Sequence, residues 1–116
     1  MKRKHHELRV WQDGIKLVKL VYRETSGFPS HEQFGLTSQM RRAAVSIPAN
    51  IAEGAARTTS KEFCHFLSIA RGSLSELETL TLIAVEVGYK ISSELSESID
   101  RLFGPLGSLI KAERGS

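Results

Sequence analysis

Residues 39–54 read QMRRAAVSIPANIAEG, and this run says more about the architecture than any other part of the chain. Its apolar residues recur every three or four positions, which is the spacing of one face of an α-helix. Pro48 lies inside the predicted helix, where it should leave the carbonyl of Ala44 without its usual donor and bend the axis. The helix is expected to start after an N-cap at Thr37 or Ser38 and to end near Arg57. Its core face consists of Leu36, Met40, Ala43, Ala44, Ile47, Ile51 and Gly54.

A row of polar residues follows another side of the same helix. It consists of Arg42, Ser46, Asn50, Glu53 and Arg57, and the small residues around it allow another backbone to come close. The row either lines a ligand site or a subunit contact, or Glu53 simply pairs with Arg57 and Asn50 hydrogen-bonds a loop. We favour a structural role, within or between subunits. A carboxylate between two arginines stays ionised, which makes Glu53 a poor general acid or base.

Three further amphipathic helices are predicted. They span about Arg9 to Thr25, Ser60 to about Val87, and a stretch that begins near Ser92 or Ser93. Gly104-Pro105 interrupts the last helix, so we expect a kink there or an early end to regular helix. In the first helix the expected core face consists of Trp11, Ile15, Val18 and Tyr22, and it is widened on one side by Val10, Leu17 and Val21. In the third helix the expected core residues are Phe63, Phe66, Leu67, Ala70, Leu74, Leu77, Leu80 and Ala84. In the fourth they are Leu95, Ile99, Leu102, Leu106 and Leu109.

These patterns predict an all-α fold, an antiparallel up-and-down four-helix bundle. The chain has 116 residues, of which 41% are apolar and 25% charged, so one globular domain is expected. We place it at residues 8–112, with a flexible basic arm at 1–7 and a flexible tail at 113–116. No apolar run approaches the roughly 20 residues that span a bilayer, and no apolar signal core follows the basic start. A cytoplasmic location without membrane attachment is therefore expected.

No catalytic, metal or cofactor site is predicted. The histidines have no metal-ligand spacing, and the single cysteine, Cys64, excludes an internal disulfide. Cys64 and His65 are adjacent on a helix, so their side chains point about 100° apart and cannot act as nucleophile and base. Ser73 lacks both the G-x-S-x-G pattern and the strand that this motif requires. A hydrolase or nuclease is the least favoured alternative.

The net charge of +3 is unevenly distributed. Residues 1–60 contain ten Lys or Arg and five Asp or Glu, whereas residues 61–116 contain six and eight. Lys16, Lys19 and Arg23 share a stripe of the first helix, and the arm adds three more cations, Lys2, Arg3 and Lys4. Such an array suits a phosphate backbone, although an ordinary solvated face explains it slightly better from the residues alone.

The run at 39–54 resembles the signature of the ribosomal-RNA intervening-sequence protein family, also called the four-helix-bundle protein family. The resemblance covers about residues 8–90. Supporting matches are Trp11-Gln12, Tyr22, Thr25, Phe28-Pro29 and Phe34-Gly35-Leu36 before the run, and Arg57, Glu62-Phe63, Phe66-Leu67, Ile69-Ala70, Gly72-Ser73-Leu74 and Glu76-Leu77-Glu78 after it.

This resemblance implies a left-handed bundle that assembles into a homopentameric ring. Some relatives are encoded within intervening sequences of ribosomal RNA genes. A similar bundle serves as an accessory subunit of a retroelement reverse transcriptase, and this subunit binds nucleic acid through a positive surface. The family offers no agreed catalytic residues to carry over. The leading hypothesis is therefore a non-enzymatic oligomeric subunit that binds RNA, DNA or a nucleoprotein partner. The alternative is a protein-interaction scaffold without nucleic-acid affinity.

The third helix also predicts self-association. Near its C-terminal end it is apolar almost all round, and one core cannot accommodate every such side chain. An uncovered apolar surface of this kind marks a partner site. The residues concerned are Leu80, Leu82, Ile83, Val85 and Val87.

Overall fold

The computed structural model describes residues 3–115, and within them it has four α-helices and no strand. The helices are α1 (Arg9–Thr25), α2 (Leu36–Ala55), α3 (Ser60–Glu86) and α4 (Ser93–Arg114). Two short 3-10 helices, Lys4–Glu7 and Ser30–Glu32, precede α1 and α2. The prediction of an all-α fold is confirmed. The chain forms a rod with extents of 45 × 27 × 21 Å.

Successive helices run in opposite directions. Between α1 and α2, the Arg41 guanidinium donates to Thr25 Oγ1 over 2.9 Å, while Gly14, a position nearer the start of α1, contacts Pro48, nearer the end of α2. The other interfaces are marked by the contacts Ser46–Ser73 and Gly54–Phe66 between α2 and α3, Cys64–Ile110 between α3 and α4, and Arg23–Glu94 between α1 and α4. Each helix therefore packs against its neighbours in sequence, and α4 closes the bundle against α1.

The core matches the predicted faces of α2, α3 and α4 closely. All seven residues predicted for α2 are buried, and so are seven of the eight predicted for α3. The exception is Phe66, which is half-buried beneath the guanidinium of Arg57. In α4 Ile110 is buried, and the predicted Leu109 packs half-buried at its edge.

The core face of α1 differs from the prediction. Ile15 and Tyr22 are 45% and 43% exposed, and Trp11 and Val18 are only half-buried. Gly14 is buried against α2, where a Cβ would lie at an ordinary contact distance of 3.4 Å from Pro48 Cβ. Of the residues predicted for the α1 core, Val10, Leu17 and Val21 are buried as expected, whereas Ile15 and Tyr22 are exposed. The buried residues are Val10, Gly14, Leu17, Val21 and Thr25.

The start of α2 also differs from the prediction. The helix begins at Leu36, and Thr37, one of the two predicted caps, is buried within its first turn. Glu32 serves the free backbone donors instead, because its Oε1 accepts from the Leu36 amide over 3.0 Å. The later helices have N-caps of the residue types that favour this position. The Thr59 side chain accepts a hydrogen bond from the Glu62 amide at the start of α3, and the Ser92 side chain accepts one from the Leu95 amide at the start of α4.

Both internal prolines are accommodated within continuous helix. Of the two outcomes expected at Gly104-Pro105, the early end does not occur, because α4 continues to Arg114. Leu102 and Leu106 are buried on either side of Pro105 and fix the helix to the core. Pro105 and Arg101 are exposed, so water can reach the carbonyl that loses its donor. The predicted flexible tail at 113–116 thus overlaps the last turn of α4.

Within residues 3–115, none of the helices combines the length and the apolar character needed to cross a membrane.

Candidate nucleic-acid interface

The basic stripe predicted on α1 lies on the side of the helix away from the core. Lys16, Lys19 and Arg23 are all exposed, and their positions are roughly opposite Leu17 and Val21, which are buried. Neither Lys16 nor Lys19 forms an ion pair with another residue of the described range 3–115. Both lysines therefore present an unneutralised charge to solvent.

Arg23 is bound differently from the two lysines. Its guanidinium donates to Glu94 Oε1 over 2.6 Å, and Glu24 Oε2 lies 3.8 Å away. The hydrogen bond to Glu94 raises the pKa of Arg23, and the charge of Glu94 adds to the effect. Two carboxylates therefore lie beside this member of the predicted stripe. Arg23 mainly joins α1 to α4, so it offers a phosphate less than its position suggests.

The basic arm does not extend from the bundle in the part that the structure describes. Residues 4–7 form a 3-10 helix, and the Lys4 ammonium lies 4.6 Å from the centre of the Phe63 ring. The His5 and His6 rings lie 5.0 and 5.2 Å from the ring of Trp11. Burial, together with the neighbouring charges of His6 and Arg3, lowers the pKa of His5. Arg3 and Lys4 are exposed, and the predicted contact Lys2 lies outside the described residues.

The two predicted basic groups do not form one surface. Lys4 lies against the start of α3, whereas Arg23 lies against the start of α4, at the other end of the bundle. At 1.5 Å per residue, the helix between Arg9 and Arg23 separates them by roughly 20 Å. A ligand that contacts Lys4 and Arg23 on one subunit must therefore span at least that distance.

The polar row on α2 divides into separate contacts. The Ser46 and Ser73 hydroxyls lie 2.8 Å apart, and the Asn50 amide donates to the Ser46 carbonyl and hydroxyl over 2.8 and 2.9 Å. The half-buried Ser46–Ser73 contact joins α2 to α3, whereas both Asn50 hydrogen bonds stay within α2 and do not reach a loop. Glu53 Oε2 lies 3.6 Å from the Arg57 guanidinium, and both side chains are about half exposed.

Arg42 completes the row and is exposed, beside Glu76 of α3 in a shallow polar groove of about 340 Å³. The remaining lining residues of this groove are Gln39, Ala43 and Ser46. The groove contains one cation and one carboxylate but no paired nucleophile and base.

The reactive side chains that the sequence singled out lie apart from one another. Cys64 is half-buried, and its thiol lies 3.8 Å from the carbonyl oxygen of Ile110. His65 is exposed, and its ring contacts Phe66. The side chain that hydrogen-bonds the Ser46–Ser73 pair is the Asn50 amide. An amide cannot take a proton from serine at neutral pH, so it cannot act as the base of a catalytic triad. Within residues 3–115, no three His, Cys, Asp or Glu side chains are grouped so that they could hold a metal ion.

Three surface features were not found by reading the sequence. The first is a groove of about 610 Å³ between α1 and α2, where the Arg41 guanidinium lies 4.4 Å from the centre of the Tyr22 ring and Phe34 is 91% exposed. The second is a hydrogen bond of 2.6 Å from Tyr89 to Glu32, which ties the α3–α4 connection to the α1–α2 connection. Neither has a local sequence signal, because the partners are brought together only by the fold.

The third feature is a groove of about 550 Å³ between the start of α3 and the end of α4. Lys61, His65 and Arg114 line it, together with a single carboxylate, Glu113. All four of these residues belong to the segment 61–116, in which acidic residues outnumber basic ones, so the charge count by segment did not predict a basic groove there. Helix periodicity and the alternation of helix direction were the signals that could have placed them at one end.

A family model described as 23S rRNA-intervening sequence protein matches residues 6–112, which include nearly all of the four helices. No match was found among curated proteins.

Proposed function

Because the chain belongs to the 23S rRNA-intervening sequence protein family, we propose that it is a non-enzymatic oligomeric subunit that binds RNA or DNA through a basic surface. The observation that carries this proposal is the outward stripe of α1. Lys16 and Lys19 are exposed there without an ion pair in the described range, which is the state in which a lysine can exchange its counterion for a phosphate. The rest of the proposed contact is Arg23, with Lys2, Arg3 and Lys4 of the arm.

The oligomer in this proposal is a closed ring of five copies. Its support is the resemblance of the 39–54 run, together with the exposed apolar end of α3. Leu82 is 61% exposed and Val87 56%, and Ile83 and Val85 are exposed beside them. Monomeric proteins seldom leave such a group uncovered, and a closed ring would cover it in every copy. Repetition around the ring would also multiply the weak attraction of two lysines per subunit.

The non-enzymatic part of the proposal is supported by the arrangement of the reactive groups. A serine or cysteine needs a base within hydrogen-bond reach to become a nucleophile. Cys64 meets a backbone carbonyl, and Ser46 and Ser73 meet each other and an amide. The polar residues at the α2–α3 interface thus hold helices together, which fits a binding subunit.

A second candidate function is a protein-interaction scaffold without nucleic-acid affinity. The groove between α1 and α2 favours it, because Tyr22, Phe34 and Val45 expose apolar surface next to two arginines. Aromatic and arginine side chains of this kind are frequent anchors at protein interfaces. Absence of nucleic-acid binding in low salt would select this candidate.

The proposal is tested with the double variant Lys16→Gln/Lys19→Gln. Arg23 is left unchanged, because its loss would also break the contact with Glu94. A matched control, Arg71→Gln/Lys90→Gln, removes two exposed cations from α3 and from the α3–α4 connection. In gel shifts, the α1 variant should bind RNA and DNA of every sequence more weakly than the control does and should show a flatter salt dependence. Equal binding by the two variants would mean that the stripe is only a solvated face.

A further inference from the structure

The fold collects positive charge at one end of the bundle. Residues 3–9, 53–65 and 108–115 meet there, as three contacts record. Lys4 lies 4.6 Å from the Phe63 ring centre, the Cys64 thiol lies 3.8 Å from the carbonyl oxygen of Ile110, and the groove of about 550 Å³ joins Lys61 to Arg114. We call this the basic end. Its seven cations are Arg3, Lys4, Arg9, Arg57, Lys61, Lys111 and Arg114, against four acidic residues, Glu7, Glu53, Glu62 and Glu113.

The opposite end of the bundle has the reverse balance. Residues 22–36 and 82–96 contain two Lys or Arg, Arg23 and Lys90, against four glutamates, Glu24, Glu32, Glu86 and Glu94. Helix dipoles do not produce this difference, because two helix N-termini and two C-termini meet at each end of an antiparallel bundle and largely cancel. The side chains alone polarise the molecule along its axis. A polyanion is attracted to the basic end and repelled from the other.

Most cations of the basic end are not neutralised within the described range. Arg9 lies 3.7 Å from Asp13 and Arg57 lies 3.6 Å from Glu53. The other five, Arg3, Lys4, Lys61, Lys111 and Arg114, are exposed and form no ion pair with any of residues 3–115. By the same criterion the α1 stripe offers two such cations. The basic end is therefore the stronger site for phosphates.

Ring systems lie among these cations. The His5, His6 and Trp11 rings form a cluster with centroid distances of 4.4 to 5.2 Å, and they are only half-buried. Across the end, the exposed His65 packs against Phe66. Unpaired bases can stack on such rings, whereas the bases of a duplex are already stacked and inaccessible.

We propose that the basic end is the surface on which this protein holds single-stranded nucleic acid, with backbone phosphates on Lys61, Lys111 and Arg114 and unpaired bases against the adjacent rings. The inference rests on the proposed function and specifies where and in which form the nucleic acid binds. The principal contact then lies at the N-terminus of α3 and the C-terminus of α4, and not on the α1 stripe. Single strands, RNA or DNA, should bind more tightly than a duplex of the same sequence.

The test compares two variants that each remove two lysines. Lys61→Gln/Lys111→Gln alters the basic end, and Lys16→Gln/Lys19→Gln alters the α1 stripe. All four side chains are exposed, so both variants should have the same melting temperature as the parent. Fluorescence anisotropy with a labelled single-stranded RNA of about 20 nucleotides, and with the matching duplex, gives each Kd over a range of salt. We expect the basic-end variant to lose at least about tenfold in affinity at low salt and its salt slope to fall by roughly 1.4, since each single-strand phosphate contact contributes about 0.7. The stripe variant should lose less than about threefold.

The outcomes separate the inference from the function beneath it. If the parent binds and the stripe variant loses as much affinity as the basic-end variant, or more, the basic end is not the principal site, and nucleic-acid binding still stands. If the duplex binds as tightly as the single strand, the bases do not engage the rings and the inference is wrong in that respect. If the parent binds neither probe in low salt, the proposed function itself fails, and the inference fails with it.

Discussion

Replacing Gly54 by alanine should destabilise the bundle, although alanine is the better helix former. Gly54 lies in the last turn of α2, where α3 approaches closely. A Cβ at this position would lie 2.7 Å from Phe66 Cβ, 3.0 Å from Phe63 Cδ1 and 3.2 Å from the Phe63 carbonyl oxygen. Ordinary contacts between carbon atoms lie near 3.5–4.0 Å. Since two of the three neighbours are a Cβ and a backbone atom, α2 and α3 would have to separate by several tenths of an ångström or more.

The magnitude follows from a comparison with Gly72→Ala. Gly72 is inside α3, and a Cβ there meets nothing within 4 Å. Replacing glycine by alanine gains about 1 kcal/mol of helix propensity in a helix interior, as at Gly72, and less in a last turn, as at Gly54. Because the gain at Gly54 is no larger than the gain at Gly72, the two variants should differ by at least the cost of overpacking, about 1–3 kcal/mol. Gly72→Ala should therefore be more stable than the parent, and Gly54→Ala less stable than Gly72→Ala by that amount.

The assay is urea unfolding followed by circular dichroism, at one fixed protein concentration because assembly contributes to apparent stability. In a thermal scan the two variants should differ by at least about 4 °C. The reasoning is refuted if Gly54→Ala is as stable as Gly72→Ala. That result would mean that the ends of α2 and α3 are not as close as the structure places them.

The other predictions concern an ion pair, an acid-sensitive contact and the assembly. Glu53→Ala should cost less than about 1 kcal/mol in urea unfolding, because its pair with Arg57 is exposed; a larger loss would indicate burial at a subunit contact. Hydrogen bonds from Tyr89 and the Leu36 amide lower the pKa of Glu32. The ionised carboxylate therefore stabilises the fold at any pH above the usual glutamate pKa of about 4.3. This contribution to stability is lost as the pH falls through the lowered pKa. The stability gap between the parent and Glu32→Gln should therefore narrow in acid, and a gap independent of pH contradicts this. Light scattering at micromolar concentration should give about five times the chain mass of 12.9 kDa, and a monomer would refute the ring.

The sequence predicted most of α2 and α3 correctly because one face of each is distinctly more apolar than the rest. α1 shows why that signal can fail. It has two apolar stripes: the one with Trp11 and Ile15 was predicted as the centre of the core face, and the one with Val10, Leu17 and Val21 as its edge. The structure centres the core on the second stripe, in which Gly14 lies against Pro48, and leaves Ile15 exposed. Which stripe faces the neighbouring helix depends on that helix's residues, here one 34 positions away, and the spacing within α1 does not contain that information.

The candidate site was harder to predict than the fold, because its charges depend on residues distant in sequence. Arg23 was taken as available for phosphate, yet Glu94 binds it from α4, 71 residues later. Lys61 and Arg114 were counted in an acidic half of the chain, although the fold places them in one groove. Local spacing identifies which residues share a face of a helix. It does not identify which carboxylates lie across an interface, and these decide whether a cation is free.

If this protein binds nucleic acid through exposed cations, the affinity of the parent chain must depend strongly on the salt concentration. Fluorescence anisotropy with two labelled single-stranded RNAs of unrelated sequence gives Kd between about 50 and 200 mM salt. We predict that log Kd rises steeply and linearly with log salt, and that the two sequences have nearly equal affinities because phosphates rather than bases supply most of the attraction. No binding at the lowest salt, or a Kd that does not change with salt, would mean that these cations do not hold nucleic acid.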